Sequence, residues 1–247
     1  MIQTFTFNPS DKDGDRIILS GPEAKHISSV LRLGKGDTVR LIDGTGEAHI
    51  CEITELAQKS VICGIIKTTR NSGEAALSVT LAVGISTASK FDTVLEKGTE
   101  VGICRFVPLL TEKAKVKLEN KSAIAKKLDR WNRVCEAAAK QSGRSKFPAI
   151  SEPMSLADFI STINPEQAIL FHPESETTNL NDFINTYNES SITVITGPES
   201  GFSKGEIELI KGKNIPIITL GDRILRTETA AIVCPSLLIY FKESFKG

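Results

Sequence analysis

Residues 220–231 read Leu-Gly-Asp-Arg-Ile-Leu-Arg-Thr-Glu-Thr-Ala-Ala, which sets Asp222, Arg223, Arg226 and Glu228 around an apolar pair directly after the apolar run at 215–219. A plain strand-to-helix connection needs only a glycine and a capping side chain. Guanidinium forks and free backbone N–H groups at such a turn form a cradle for an anionic or polar ligand. A second elaborate turn, Gly-Pro-Glu-Ser-Gly-Phe at 197–202, follows the apolar run at 191–196. Gly197 and Gly201 permit close backbone approach, and Ser203 with Glu206 makes a capping box that opens the next helix. Taken singly, each turn is better read as an ordinary connection, with Arg226 paired to Glu228 or Asp222. Two of them at the ends of two strands shift the balance toward a site, because ligands of parallel α/β sheets bind beyond the carboxyl ends of the strands.

The elements that would position these turns follow from hydrophobic periodicity. After residues 71–73 (Asn-Ser-Gly) the chain alternates strands with helices: strands at 77–85, 104–110, 167–172, 191–196 and 215–220, and helices at 91–102 and 123–141. Strands separated by helices predict an α/β domain with a largely parallel sheet, and their unbroken apolar character fits strands covered on both faces. The first 70 residues differ. They hold five short runs rich in β-branched or aromatic residues (TFTF, RIILS, DTVRLID, EAHICEI, SVICGII) separated by turn clusters, which predict a small barrel. GPEAKHISSVLRL at 21–33 predicts one short helix beside it, clustering Lys25, His26 and Arg32 with Lys35. No internal repeat or low-complexity tract is apparent.

Composition bounds the function classes. With 40% hydrophobic and 24% charged residues the chain can bury a real core. No apolar stretch approaches the roughly 20 residues of a bilayer span, and the N-terminus has no basic region followed by an apolar one, so a cytoplasmic address and no membrane are expected. The five cysteines lack any C-x-x-C spacing and the three histidines lie far apart, so neither a disulfide framework nor a metal site is expected. Rossmann, P-loop and nucleophile-elbow signatures are absent from the expected places. Net charge is zero but uneven: residues 112–146 hold eleven Lys/Arg against four Asp/Glu, while 151–210 hold ten acidic residues against one lysine. A basic segment of that density, part of it on the amphipathic helix carrying Arg130 and Arg133, suits phosphate contacts through counterion release, although a solvated helix face would look the same.

The stretches HISSVLRLGKGD (26–37), LEKGTEVG (95–102), RWNRVCEAAAKQSGR (130–144), GPESGF (197–202) and LGDRILRTETA (220–230) occur in this order. Together they resemble the SPOUT-type 16S rRNA (uracil-N3)-methyltransferases, the RsmE family, over nearly the whole chain. The sequence departs from that family's pattern at Ser200, where a glycine is usual, and at Lys113-Ala114, where an arginine-serine pair is usual. The resemblance implies an RNA-binding PUA-like β-barrel over residues 1–72 and a SPOUT α/β domain with a trefoil knot over 73–247. It implies S-adenosylmethionine as cofactor, 16S rRNA or the small ribosomal subunit as partner, and a homodimer whose interface helps build the site. The apolar girth of 230–241 agrees with such a partner, and Pro235 is expected to kink or break that helix.

Carried onto this sequence, the cofactor contacts fall at His172, Thr196, Gly197, Pro198, Glu199 and Gly201, and at Leu220, Gly221, Ile224, Leu225, Thr229 and Ala230. Arg226 is expected to stabilise charge on the uracil, with Glu228 orienting it. Lys25, His26, Arg32, Lys35, Arg130, Arg133 and Arg144 are the expected RNA contacts. Transfer to a ring nitrogen requires loss of a proton and an unpaired or flipped base. A SPOUT enzyme with another RNA target, a non-catalytic RNA-binding module and a small-metabolite enzyme are the competing readings.

Overall fold

In a computed structural model of the protein, residues 2–114, 120–173 and 179–244 are described. The basic stretch 112–146 and the acidic stretch 151–210 therefore each lie partly outside the described residues. The chain divides into two units, one formed by residues 1–74 with 136–147, the other by 75–135 with 148–247.

The first unit carries β1 (Thr4–Thr6), β2 (Lys12–Asp13), β3 (Arg16–Ser20), β4 (Thr38–Ile42), β5 (Glu47–Leu56) and β6 (Ser60–Arg70) in one sheet, ordered β1-β4-β5-β6-β3-β2. All neighbours are antiparallel except β1 and β4. Period-two alternation sends Ile17 and Leu19, Cys51 and Ile53, and Val61 and Cys63 into one core with Phe5 and Ile27. The same alternation leaves Ile18 exposed on the other face. The helical stretch after β3 is α1 (Gly21–Lys25), continued by one π-helical turn over His26–Val30. Four of the five cysteines are buried, and burial pushes the Cys51 thiol up to about 12 and Cys63 to about 11.

One sequence expectation is corrected here. Arg144 is 1% exposed, and its guanidinium bonds Glu74 Oε2 at 2.7 Å while Glu74 Oε1 accepts from the backbone N–H groups of Ser145 and Lys146. A cation so paired fastens the returning segment 136–147 within the first unit and is not an RNA contact. Breaking a buried pair of this kind leaves an uncompensated charge, which costs about 3–5 kcal/mol.

The second unit alternates as expected: β7 (Ser78–Gly84), α2 (Ala88–Val101), β8 (Arg105–Leu110), α3 (Lys121–Ser142, whose last turns belong to the first unit), β9 (Ala149–Ile150), β10 (Met154–Ser155), α4 (Leu156–Thr162), β11 (Ala168–Phe171), α5 (Leu180–Thr186), β12 (Ser191–Thr196), α6 (Lys204–Lys211), β13 (Ile217–Ile218) and α7 (Thr227–Ser244). Its sheet is entirely parallel in the order β10-β8-β7-β12-β11-β13, with β9 also on β8. Both faces are covered. Leu81 and Val83 pack with Phe91, Trp131 and Leu238 on one side, and Ala82 and Ile195 with Leu156, Phe159 and Phe202 on the other.

Two expectations change in detail. The strand expected over 215–220 pairs only at Ile217–Ile218, because Pro216 has no N–H to give this edge strand and Thr219 already enters the turn. The helix α7 runs unbroken through Pro235. Buried Ala231, Cys234, Leu238 and Ile239 hold it against the core more strongly than one missing N–H loosens it.

Candidate active site

The carboxyl ends of β11 and β12, the turn over 219–226 and the first turns of α7 enclose a cavity of about 570 Å³. Parallel strands end there because each βα connection crosses to the next strand, so all their carboxyl ends open on one side. Thr196, the last residue of β12, is 1% exposed, and its hydroxyl has no hydrogen-bond partner among the described residues.

The Gly-Pro-Glu-Ser-Gly-Phe turn is fixed in place by its own bonds. Gly201 N donates to Pro198 O at 2.9 Å. The expected capping box forms: Ser203 Oγ accepts from Glu206 N, and Glu206 Oε2 accepts from Ser203 N at 2.7 Å. The other Glu206 oxygen accepts from Glu112 N at 2.9 Å, which ties this turn to the segment after β8. Two of the departures from the family pattern, Ser200 and Lys113, answer one another. Ser200 Oγ donates to Lys113 O, and Lys113 Nζ donates to Phe202 O, each at 2.9 Å. Gly84 makes the close approach possible, since a Cβ there would lie 2.5 Å from Pro198.

The turn over 219–226 is held more loosely. Thr219 Oγ1 donates to Gly221 O at 3.0 Å, and Gly221 sits at φ +94°, where a side chain would be strained. Ile224 is 85% exposed and Arg226 is exposed as well, although both line the cavity. Ile224 therefore gives the rim of the cavity an apolar surface.

Most of the residues expected around the cofactor come together. His172, Thr196, Gly197, Pro198, Glu199 and Gly201 line the cavity from one side, with Ile224, Leu225, Arg226 and Ala230 from the other. Leu220 lines a smaller adjoining hollow of about 70 Å³. Thr229 is exposed and lines neither, and Gly221 contributes its backbone conformation rather than a wall. Glu228 lies in the first turn of α7, and its Oε2 is buried with no partner among the described residues. Glu199 is ion-paired to Lys90 at 2.6 Å.

Thr227, expected to cap the helix beside the cofactor, also lines the cavity, and Lys90, Phe171, Pro173 and Phe202 line it without having been singled out in the sequence. For Lys90 a signal existed: it follows the carboxyl end of β7, where the same rule that picked the two turns applies.

Of the expected RNA contacts, Lys25, His26, Arg32 and Lys35 are exposed in the first unit, and the His26 ring meets Phe5 edge-on at 5.6 Å. Arg130 and Arg133 are exposed on α3. Arg130 is paired to Asp92, and Arg133 Nε donates to Asp129 O at 3.2 Å.

Comparison with known proteins gives a consistent answer. Residues 73–239 match the RNA methyltransferase domain family, and residues 19–66 match the RNA methyltransferase PUA domain family. The chain is 30% identical to the ribosomal RNA small subunit methyltransferase E of Aquifex aeolicus over 95% of its own length and 99% of the relative's. It is 29% identical to the protein of the same name from Bacillus subtilis, over 93% and 91% respectively. Among solved structures it resembles ribosomal RNA small subunit methyltransferase E from Neisseria gonorrhoeae bound to S-adenosyl methionine, with a TM-score of 0.85, 26% identity and coverage of 96% and 97%.

Proposed function

The chain belongs to the RNA methyltransferase family that includes the ribosomal RNA small subunit methyltransferase E proteins, and we propose that it transfers the methyl group of S-adenosylmethionine to N3 of a uridine in the 16S rRNA of the small ribosomal subunit. The observation that carries this reading is the cavity of about 570 Å³ onto which both elaborate turns converge. Its volume falls within the roughly 300–1,000 Å³ of small-molecule and cofactor sites. Its chemistry suits this cofactor: Gly197 and Gly201 for close backbone approach, the Thr196 hydroxyl, without a partner among the described residues, for a polar group, and Ile224, Leu225 and Ala230 for apolar surface.

When bound, S-adenosylmethionine supplies an electrophilic methyl carbon on a sulfonium whose positive charge is lost on transfer. The chain's own residues then have two tasks. The first is to hold the acceptor nitrogen in line, which by itself removes much of the barrier. The second is to stabilise the uracil as its N3 proton leaves. Arg226, with a guanidinium exposed at the cavity, serves that charge. Glu228, two residues on, has a carboxylate oxygen with no partner among the described residues and serves to orient it.

The remaining parts of the proposal concern the surroundings of the site. Lys25, His26, Arg32 and Lys35 on the first unit, and Arg130 and Arg133 on α3, contact RNA phosphates. The α/β domain is tied in a trefoil knot around the cofactor. The enzyme works in the cytoplasm and as a homodimer, the second supported by α7, where Tyr240 is 65% exposed and Val233, seven residues earlier on the helix, is exposed as well.

The test is calorimetric titration with S-adenosylmethionine followed by transfer of labelled methyl groups to unmethylated small subunits. Saturable binding and label at N3 of one uridine are expected. A folded protein, freed of copurified ligand, that binds no S-adenosylmethionine even with subunits present would favour a non-catalytic RNA-binding module.

A further inference from the structure

Ser86, Thr111 and Thr196 stand at the carboxyl ends of three neighbouring parallel strands, β7, β8 and β12. All three are more than nine-tenths buried, and none of their hydroxyls has a hydrogen-bond partner among the described residues. Such a hydroxyl costs about 1–3 kcal/mol. Three such groups at one end of one sheet are what a protein retains where a ligand completes the bonds.

The cofactor cavity accounts for Thr196, which lines it. Ser86 belongs elsewhere. It lines a second recess of about 280 Å³, bounded by Ile85 and Thr87 beside it, by Ala114, and by Pro198, Glu199 and Ser200 opposite. Pro198 and Glu199 line both spaces, so the recess shares a wall with the cofactor cavity.

Resting on the methyltransferase reading, we propose that this recess receives the base to be methylated, and that Ser86 is a positioning residue that reads the edge of its ring. The recess lies below the size of sites for larger ligands, which suits one extruded base. Flipped bases are held by apolar contacts on their faces and hydrogen bonds on their pairing edge. Ile85, Ala114 and Pro198 offer the apolar walls, and Ser86 offers a hydroxyl without a partner among the described residues. That hydroxyl donates to a uracil carbonyl or accepts from N3–H. Lys90 lines the cofactor cavity rather than the recess, and its ammonium, 2.6 Å from Glu199 on the shared wall, adds positive charge close to the anion left when the proton departs.

Ser86→Ala separates this role from a structural one. The substitution deletes a group that makes no bond among the described residues, so the thermal midpoint stays level or rises and the affinity for S-adenosylmethionine stays within about twofold. The KM for unmethylated small subunits rises roughly three- to tenfold, the worth of one hydrogen bond. An unchanged KM, or a fall in midpoint that accompanies the lost binding, overturns the proposal. An independent measurement uses the unaltered protein and small subunits reconstituted with 4-thiouridine-bearing rRNA. Irradiation is expected to crosslink the target base to residues 85–87 or 198–200, and a crosslink confined to other segments overturns the assignment. If the unaltered protein methylates subunits normally while these results fail, only the recess is lost. If it neither binds S-adenosylmethionine nor methylates, the functional reading falls and this proposal with it.

Discussion

The turn over 196–203 and the turn over 219–227 face one cavity, yet they are fastened in different ways. The first is anchored at several points: Gly201 to Pro198, Ser203 and Glu206 to each other, Glu206 to Glu112, and Ser200 and Phe202 to Lys113. The second is held by Thr219 to Gly221 and by the start of α7, where Ala230 N donates to Arg226 O, while Ile224 and Arg226 stand in solvent. A segment with few bonds and little burial opens at low free-energy cost, whereas a multiply bonded one does not. The first turn is therefore a preformed wall. The second, with fewer bonds and more exposure, is the side on which ligand binding is expected to change the chain.

The comparison can be broken in four places. The largest effect is expected on the loose side, at the reacting charge. Arg226→Ala should lower methyl transfer by roughly 10²–10³-fold, the usual consequence of removing one stabilising donor. Cofactor affinity, measured by calorimetry, should stay within a few fold, and unchanged turnover would take Arg226 out of the mechanism.

Next comes the anchored side. Glu206→Ala removes the cap partner and the bond to Glu112 N from a residue 6% exposed. It should cost about 2 kcal/mol in urea unfolding. A midpoint that does not move would show that these bonds are not what fixes the wall.

Gly221→Ala sharpens the contrast. At φ +94° an alanine is strained by about 1–2 kcal/mol. Because the turn is loosely tied, that strain is relieved by local rearrangement in the free protein. Global stability should barely change, while S-adenosylmethionine binding weakens by roughly fivefold or more. A large loss of stability instead would show the second turn to be held as rigidly as the first.

The smallest effect is electrostatic and lies outside both turns. Arg130→Gln and Arg133→Gln should each reduce the slope of log affinity against log salt for RNA by about 1 if each meets a phosphate. A slope that does not alter would return them to an ordinary solvated helix face.

Local pattern carried much of this molecule. The strands at 191–196 and 60–66 could be read because β-branched runs bounded by turn residues have little else to form. The capping box at Ser203 was legible because its partners are three residues apart. Ten residues carried over from family resemblance do line the cavity, since that resemblance rests on turn motifs whose glycines and charges are written contiguously. Arg144 was misread for the opposite reason. Its partner Glu74 lies 70 residues away, and charge composition cannot tell a solvated arginine from a buried one. Lys90 had a positional signal after β7, but its ion pair with Glu199, more than a hundred residues away, had none.

By itself, then, the sequence determined the class of each half, the identity of the two turns and the kind of ligand they suit, because those depend on periodicity and on neighbours within one turn of chain. Tertiary structure alone decided which cations stay in water, that β7, β8 and β12 lie side by side, and that three buried hydroxyls without partners among the described residues therefore gather at one end of the sheet. Burial and strand order arise from contacts between residues distant in the chain, and no local spacing encodes them.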